Sequence, residues 1–201
     1  MAKLRPRTGE PMNTAQATVE SPPRHSPVAS GPLDQLARHD GARLESMYRA
    51  GAVPESLAVL DGNPAGRMLA VRGLERGLTR GPLRSLAAAP FFPWGGKSFS
   101  SAGPAATQGR GINRVHLGGR HLLFPFETRV EASAIDGEPT VVLDYDLGDN
   151  PRLIARIHDE IREVEPGLYL GPAMWKSGPA RVLVLWFALD TRAQAPSIGW
   201  G

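Results

Sequence analysis

The segment that most constrains this chain is Gly137–Lys176, GEPTVVLDYDLGDNPRLIARIHDEIREVEPGLYLGPAMWK, because its punctuation divides it into three short elements. Thr140–Leu147 has a period of two. Val141, Leu143, Tyr145 and Leu147 share one face and Thr140, Val142, Asp144 and Asp146 the other, as a pleated strand requires. Gly148-Asp149-Asn150-Pro151 stops that strand. Asn150 suits an N-cap, and Pro151 suits a first helical position, where an N–H has no partner anyway. Leu153, Ile154, Ile157, Ile161 and Val164 then fall on one apolar stripe, which predicts a helix ending at Pro166-Gly167. Leu168–Trp175, interrupted by Gly171-Pro172, and Arg181–Leu189 read as the closing strands. The last is apolar from Val182 to Leu189 without alternation, so both of its faces are expected to be covered.

Upstream, Gly111–Leu117 and His121–Phe126 flank the turn Gly118-Gly119. Glu127–Ala134 continues as a strand, and Asp136-Gly137 joins it to Thr140–Leu147 by a second hairpin signal. From Gly111 onward the chain therefore reads as an antiparallel meander with one inserted helix. Before it, Asp34–Arg49 is helical, interrupted at Gly41, with Leu36, Leu44, Met47 and Tyr48 as its apolar face. Gly66–Val71 reads as an early strand, and the small, polar Ser98–Arg110 as a loop. The fold class is α+β, mainly antiparallel β: a small curved sheet or β-barrel with two or three flanking helices. Residues 1–31, rich in Pro, Ser, Thr and Ala, have too little apolar surface to order and are expected to be a disordered tail. Residues 32–190 form a single domain and 191–201 a flexible tail; Met12 is an alternative start.

A formal net charge of +3 over 201 residues gives no argument for a nucleic-acid partner. The absence of cysteine removes disulfides, thiolate nucleophiles and cysteine metal sites. No apolar run reaches membrane-spanning length, and the expected compartment is a bacterial cytoplasm. Arg72, Arg76, Arg80 and Arg84 recur every fourth residue, which is either a solvated helix face or a stripe for anions or lipid headgroups. With Phe91, Phe92 and Trp94 it forms the basis for expecting weak membrane-surface contact.

Candidate chemistry is sparse. His116 and His121 flank a turn, but no further ligand at metal spacing accompanies them, so no metal is expected. Asp144 and Asp146 share one strand face beside Tyr145. Enclosed, they would suit general acid–base work; at a strand end they would cap turn N–H groups. His158, Asp159 and Glu160 fall on the polar side of the predicted helix and are expected to be solvated. No nucleophile elbow, dinucleotide fingerprint or phosphate-binding loop is present.

Early helices, a Gly62-x-x-x-Gly66-Arg67 lead-in to the first strand, the segment Phe92-Pro93-Trp94-Gly95-Gly96-Lys97-Ser98-Phe99 and the meander after it together resemble the small calycin-type barrels. These are the lipocalin, fatty-acid-binding and nitrobindin-like proteins. The resemblance spans residues 33–190. Gly66 is followed by Arg67 and Met68 where that group has Gly-x-Trp, and no histidine maps to a haem ligand. What the resemblance implies is a cavity for a hydrophobic small molecule, without a cofactor. The leading expectation is therefore a non-catalytic binder or carrier of an apolar ligand with an acidic group. Arg114 or Arg129 would hold the acid, and Trp94, Phe126, Tyr169 and Trp175 are the aromatic ligand contacts. The alternatives are a cofactor-independent isomerase, cyclase or hydrolase using Asp144, Asp146, Tyr145 or His116, and a peripheral membrane or partner-binding protein. If the Val141, Leu143 and Tyr145 face packs under helices, Thr140, Val142, Asp144 and Asp146 look into the cavity.

Overall fold

In the computed structural model, which describes residues 31–71, 94–116 and 118–196, eight antiparallel strands close into a barrel. They are β1 (Pro64–Val71), β2 (Trp94–Ser101), β3 (Gln108–Val115), β4 (His121–Ala132), β5 (Pro139–Asp144), β6 (Ile157–Glu165), β7 (Leu168–Ser177) and β8 (Ala180–Gln194). Each strand pairs with the next in sequence, and β8 returns to β1 through Gly66↔Leu189 and Met68↔Phe187. Closure leaves no free sheet edge among them. Two helices precede the strands, α1 (Pro32–Leu36) and α2 (Gly41–Ala50). Asp40 separates them: its carboxylate accepts the N–H of Arg43 at 2.8 Å and starts α2 afresh, so the expected single helix over 34–49 is two.

The predicted helix after Pro151 is corrected. Only Ile154–Arg156 makes a short 3₁₀ turn, and Ile157–Glu165 is strand β6. The spacing of Ile157 and Ile161 suits a helix and a strand equally. Pairing decides for the strand, since β6 lies between β5 (Val141↔Ile161) and β7 (Asp159↔Ala173). Most of the segment expected as a loop, Ser98–Arg110, is also strand, at the end of β2 and the start of β3. β4 runs unbroken through Phe126–Glu127, β5 stops at Asp144, and Gly171-Pro172 lies inside β7 without breaking it. The arginine repeat at 72–84 and Phe91–Phe92 lie outside the described residues.

The strand faces are the reverse of those expected. Val141, Leu143 and Tyr145 point into the barrel, in a core with Phe99, Phe126, Ile161, Tyr169, Phe187 and Leu189, closed at one end by Leu57 and Leu60. The opposite face of β7 and β8 carries Leu168, Leu170, Trp186 and Ala188, which bury Leu36, Leu44 and Tyr48 of the two helices. Two cores on the two faces explain why β8 reads as apolar without alternation.

Beneath α2 the outer face also carries a polar cluster around Glu160. Tyr48 donates its hydroxyl to Glu160 Oε2 at 2.6 Å and lies 2.8 Å from Thr140 Oγ1. Ser133 Oγ and the N–H of Ala134 also donate to Glu160, at 2.5 and 2.8 Å, and His158 Nε2 lies 2.9 Å from it. Burial alone would raise the Glu160 carboxyl, but these hydrogen bonds outweigh it and hold the group below its ordinary value. A depressed folded value adds stability above the unfolded value of 4.5, and that contribution is lost as pH falls through the folded one. Tyr48→Phe is expected to cost about 1–3 kcal/mol by leaving Glu160 short of a donor. In a urea titration the deficit should be full at pH 7 and shrink below pH 4.

Candidate functional site

Five strands and the residue after a sixth bring the site together. β2 begins Trp94-Gly95-Gly96-Lys97, and a bulge between Trp94 and Gly96 lets both Trp94 and Lys97 face inward. Gly96 has φ +107°, which a residue with a side chain rarely adopts, and a Cβ there would collide with the Arg114 guanidinium. On the opposite face Arg114, 1 % exposed, clamps the wall. It donates to the carbonyls of Lys97 (2.7 Å), Pro64 (2.6 Å) and Gly95 (2.9 Å). β3 contributes Asn113. Opposite it β4 bulges, skipping Phe124 between Ile112↔Pro125 and Asn113↔Leu123. Phe124 has φ +61°, and its carbonyl accepts Asn113 Nδ2 at 3.1 Å. A left-handed non-glycine residue costs free energy, and bulges are over-represented at sheet edges, barrel rims and functional sites.

Inside the barrel Lys97 Nζ donates to Asp159 Oδ2 at 2.8 Å, Asn113 Oδ1 at 3.0 Å and Tyr145 Oη at 2.5 Å. The side chains of Lys97 and Asp159 are 3 % and 5 % exposed. Tyr145 donates to Asp159 Oδ2 at 3.0 Å and accepts from Asn113 Nδ2 at 3.2 Å, while the Trp94 indole donates to Asn113 Oδ1 at 3.0 Å. Four rings surround the ammonium: Phe187 at 5.0 Å, Phe126 and Tyr145 at 5.2 Å, and Trp94 at 5.5 Å. Burial pulls Lys97 below the ordinary lysine value, against the opposing charge of Asp159. Burial, and then the Asp159 charge, pushes Tyr145 well above its own. The pair is held as an ion pair in a low-dielectric cage, with a tyrosine hydroxyl kept protonated between its members.

Of the residues singled out in the sequence, Trp94, Phe126 and Tyr145 meet in this cluster, and Tyr169 lies in the same interior core. The others do not. Asp144 faces outward, bound to Arg129 (3.0 Å) and Lys176 (2.9 Å), and accepts the N–H of the exposed Asp146. Burial would raise its carboxyl; Lys176, that N–H and Arg129 together hold it at about 2. It is therefore a surface ion-pair centre and turn cap, and not an enclosed acid–base group. Asp144→Asn is expected to cost no more than about 1 kcal/mol and to leave the interior cluster unchanged. Urea midpoints and the near-UV signal of Tyr145 and Trp94 check both statements.

Arg129 is thereby on the outer wall, and Arg114 is spent on backbone carbonyls. Trp175 stacks under the Arg156 guanidinium at 4.8 Å, and His116 is exposed with its ring against Gly95. Among the described residues no group of three or more histidine, aspartate or glutamate side chains is placed to share a metal ion. Lys97, Asn113 and Asp159 are the residues that sequence reasoning missed. The available signal was period-two spacing: Lys97 with Phe99, and Asp159 between Ile157 and Ile161, occupy inward positions.

A half-open cleft of about 690 Å³ crosses β2–β4, with Ser98, Arg110, Ile112 and Asp149 among its lining residues. Phe99 and Phe126 border both this cleft and the interior core, with ring centroids 5.4 Å apart. The fold and site thus define an eight-stranded up-and-down barrel with a caged lysine–aspartate–tyrosine cluster. No protein-family model matches the chain, and no curated protein matches it. A solved structure described as a crystal structure of a protein from Thermomonospora curvata is similar, with 18 % sequence identity and a TM-score of 0.45. The match covers 76 % of this chain and 87 % of that one. Among the described residues no helix is long and apolar enough to cross a membrane.

Proposed function

We propose that this barrel is a non-catalytic binder of a small, mainly apolar molecule, and that its interior cluster receives the ligand's polar group. One observation carries the reading: an ion pair with 3 % and 5 % exposed side chains sits inside the barrel, ringed by four aromatic side chains. Such a pair is a poor device for stability, because desolvating two charges offsets most of their attraction and apolar residues of similar volume do as well. A convergent polar group within apolar, aromatic walls is instead the usual composition of a ligand site. An eight-stranded barrel has an interior that side chains fill or that holds one small ligand. Entry requires the Phe99–Phe126 pair, which borders the outer cleft, to swing aside. The anchoring role expected of Arg114 or Arg129 passes to Lys97, Tyr145 and Asp159. The proposed compartment remains the cytoplasm.

The test compares native mass spectra of the wild-type protein and the Lys97→Met/Asp159→Leu double variant, each purified from a host extract without organic solvent. A small-molecule adduct on the wild type that the folded double variant lacks is the expected result. An adduct of equal occupancy on both would place the ligand elsewhere, and no adduct on either would count against binding.

A further inference from the structure

Building on that binding role, we infer from the cluster's hydrogen bonds that the ligand's polar group is a neutral donor, an alcohol or similar O–H, and not a carboxylate. Every donor in the cluster is in use. The three Lys97 N–H groups go to Asp159, Asn113 and Tyr145, and the two Asn113 N–H groups go to Phe124 O and Tyr145. Trp94 donates to Asn113 and Tyr145 donates to Asp159. On the acceptor side, Asn113 Oδ1, Tyr145 Oη and Asp159 Oδ2 each receive two donors. One valence is left. Asp159 Oδ1 is buried and has no hydrogen-bond partner among the described residues. An ionised carboxylate oxygen left unsatisfied is costly, and buried polar atoms are paired in the great majority of cases.

Only a donor completes this set. A carboxylate would find no free N–H or O–H. It would also add an uncompensated charge to a pair whose charges sum to zero, in a cage of four rings. An ether or alkane of the same size offers no donor and leaves Asp159 Oδ1 unpaired. Sites built to bond a hydroxyl discriminate strongly against analogues that lack it, because the buried partner is then left unpaired.

The experiment is a calorimetric titration at pH 7.5 with 1-octanol, heptyl methyl ether and octanoate, on the wild type and on Lys97→Met/Asp159→Leu. 1-Octanol is expected to bind the wild type at least 10-fold more tightly than either of the others. The double variant should bind the alcohol and the ether with equal affinity. Equal affinities on the wild type, or a preference for octanoate, would overturn this inference and leave the binding role standing. The same holds if the alcohol preference survives in the double variant. Failure of all three compounds to bind, with no adduct retained by the native protein, would remove the binding role and this inference together.

Discussion

Lys97→Met is expected to destabilise the protein by about 3–5 kcal/mol at pH 7, whereas the double variant Lys97→Met/Asp159→Leu should recover most or all of that loss. The single change leaves Asp159 4 % exposed with no cation and only the Tyr145 hydroxyl as donor. A buried carboxylate without its cation is the costly part, because the desolvation of the charge is no longer offset. The wild type should weaken below about pH 4.5, where Glu160 begins to lose its contribution. Methionine and leucine together place apolar volume against Trp94, Phe126 and Phe187 and remove both desolvated charges. Urea midpoints for the three proteins at pH 7 test this. A double variant no more stable than Lys97→Met would show that the ion pair holds the barrel together.

The second large effect is expected at Gly171. This residue lies mid-strand in β7 against β6: a Cβ would collide with the Glu160 carbonyl oxygen and lie 2.8 Å from Ile161 Cγ2. The obstruction is backbone, so no rotamer change relieves it; β6 and β7 must part. Overpacking commonly costs about 1–3 kcal/mol when side chains can adjust, and Gly171→Ala should exceed that range. Parting β6 from β7 also displaces Glu160 from Tyr48, and with it the seat of α2. Loss of the cooperative urea transition, or a midpoint lowered further than in Tyr48→Phe, is the expected reading. Gly137→Ala makes a useful contrast. That glycine has positive φ but nothing within 4 Å of the added carbon, so only backbone strain is introduced.

Much of the barrel was legible in the sequence, and the places where it was not share a physical cause. The meander from β3 to β5 showed through its turn glycines and its alternation, and β8 through an apolar run that two cores require. β2 and β6 were hidden. Each carries a charged residue at an inward position, Lys97 between Trp94 and Phe99 and Asp159 between Ile157 and Ile161. In β6 the outward positions are also polar, at His158, Glu160 and Arg162, so polar residues appear on both faces and period two is lost. What survives is the apolar spacing of Ile157 and Ile161, which a helix fits as well. The cluster thus conceals its own strands: local rules fail where a buried charge replaces a core residue. The misplacement of Asp144 has a simpler origin. Alternation shows that Val141 and Asp144 lie on opposite faces, but not which face is inside.

The chain has three lysines, Lys3, Lys97 and Lys176, so the side-chain amine spectrum of protein labelled with ¹⁵N-lysine is simple enough to read residue by residue. Titration with 1-octanol, followed through those amine resonances, tests most directly that the interior pair is the binding site. A Lys97 resonance that shifts in step with calorimetric saturation, while Lys3 and Lys176 stay in place, is the predicted result. Saturable binding with the Lys97 resonance unmoved would contradict the account.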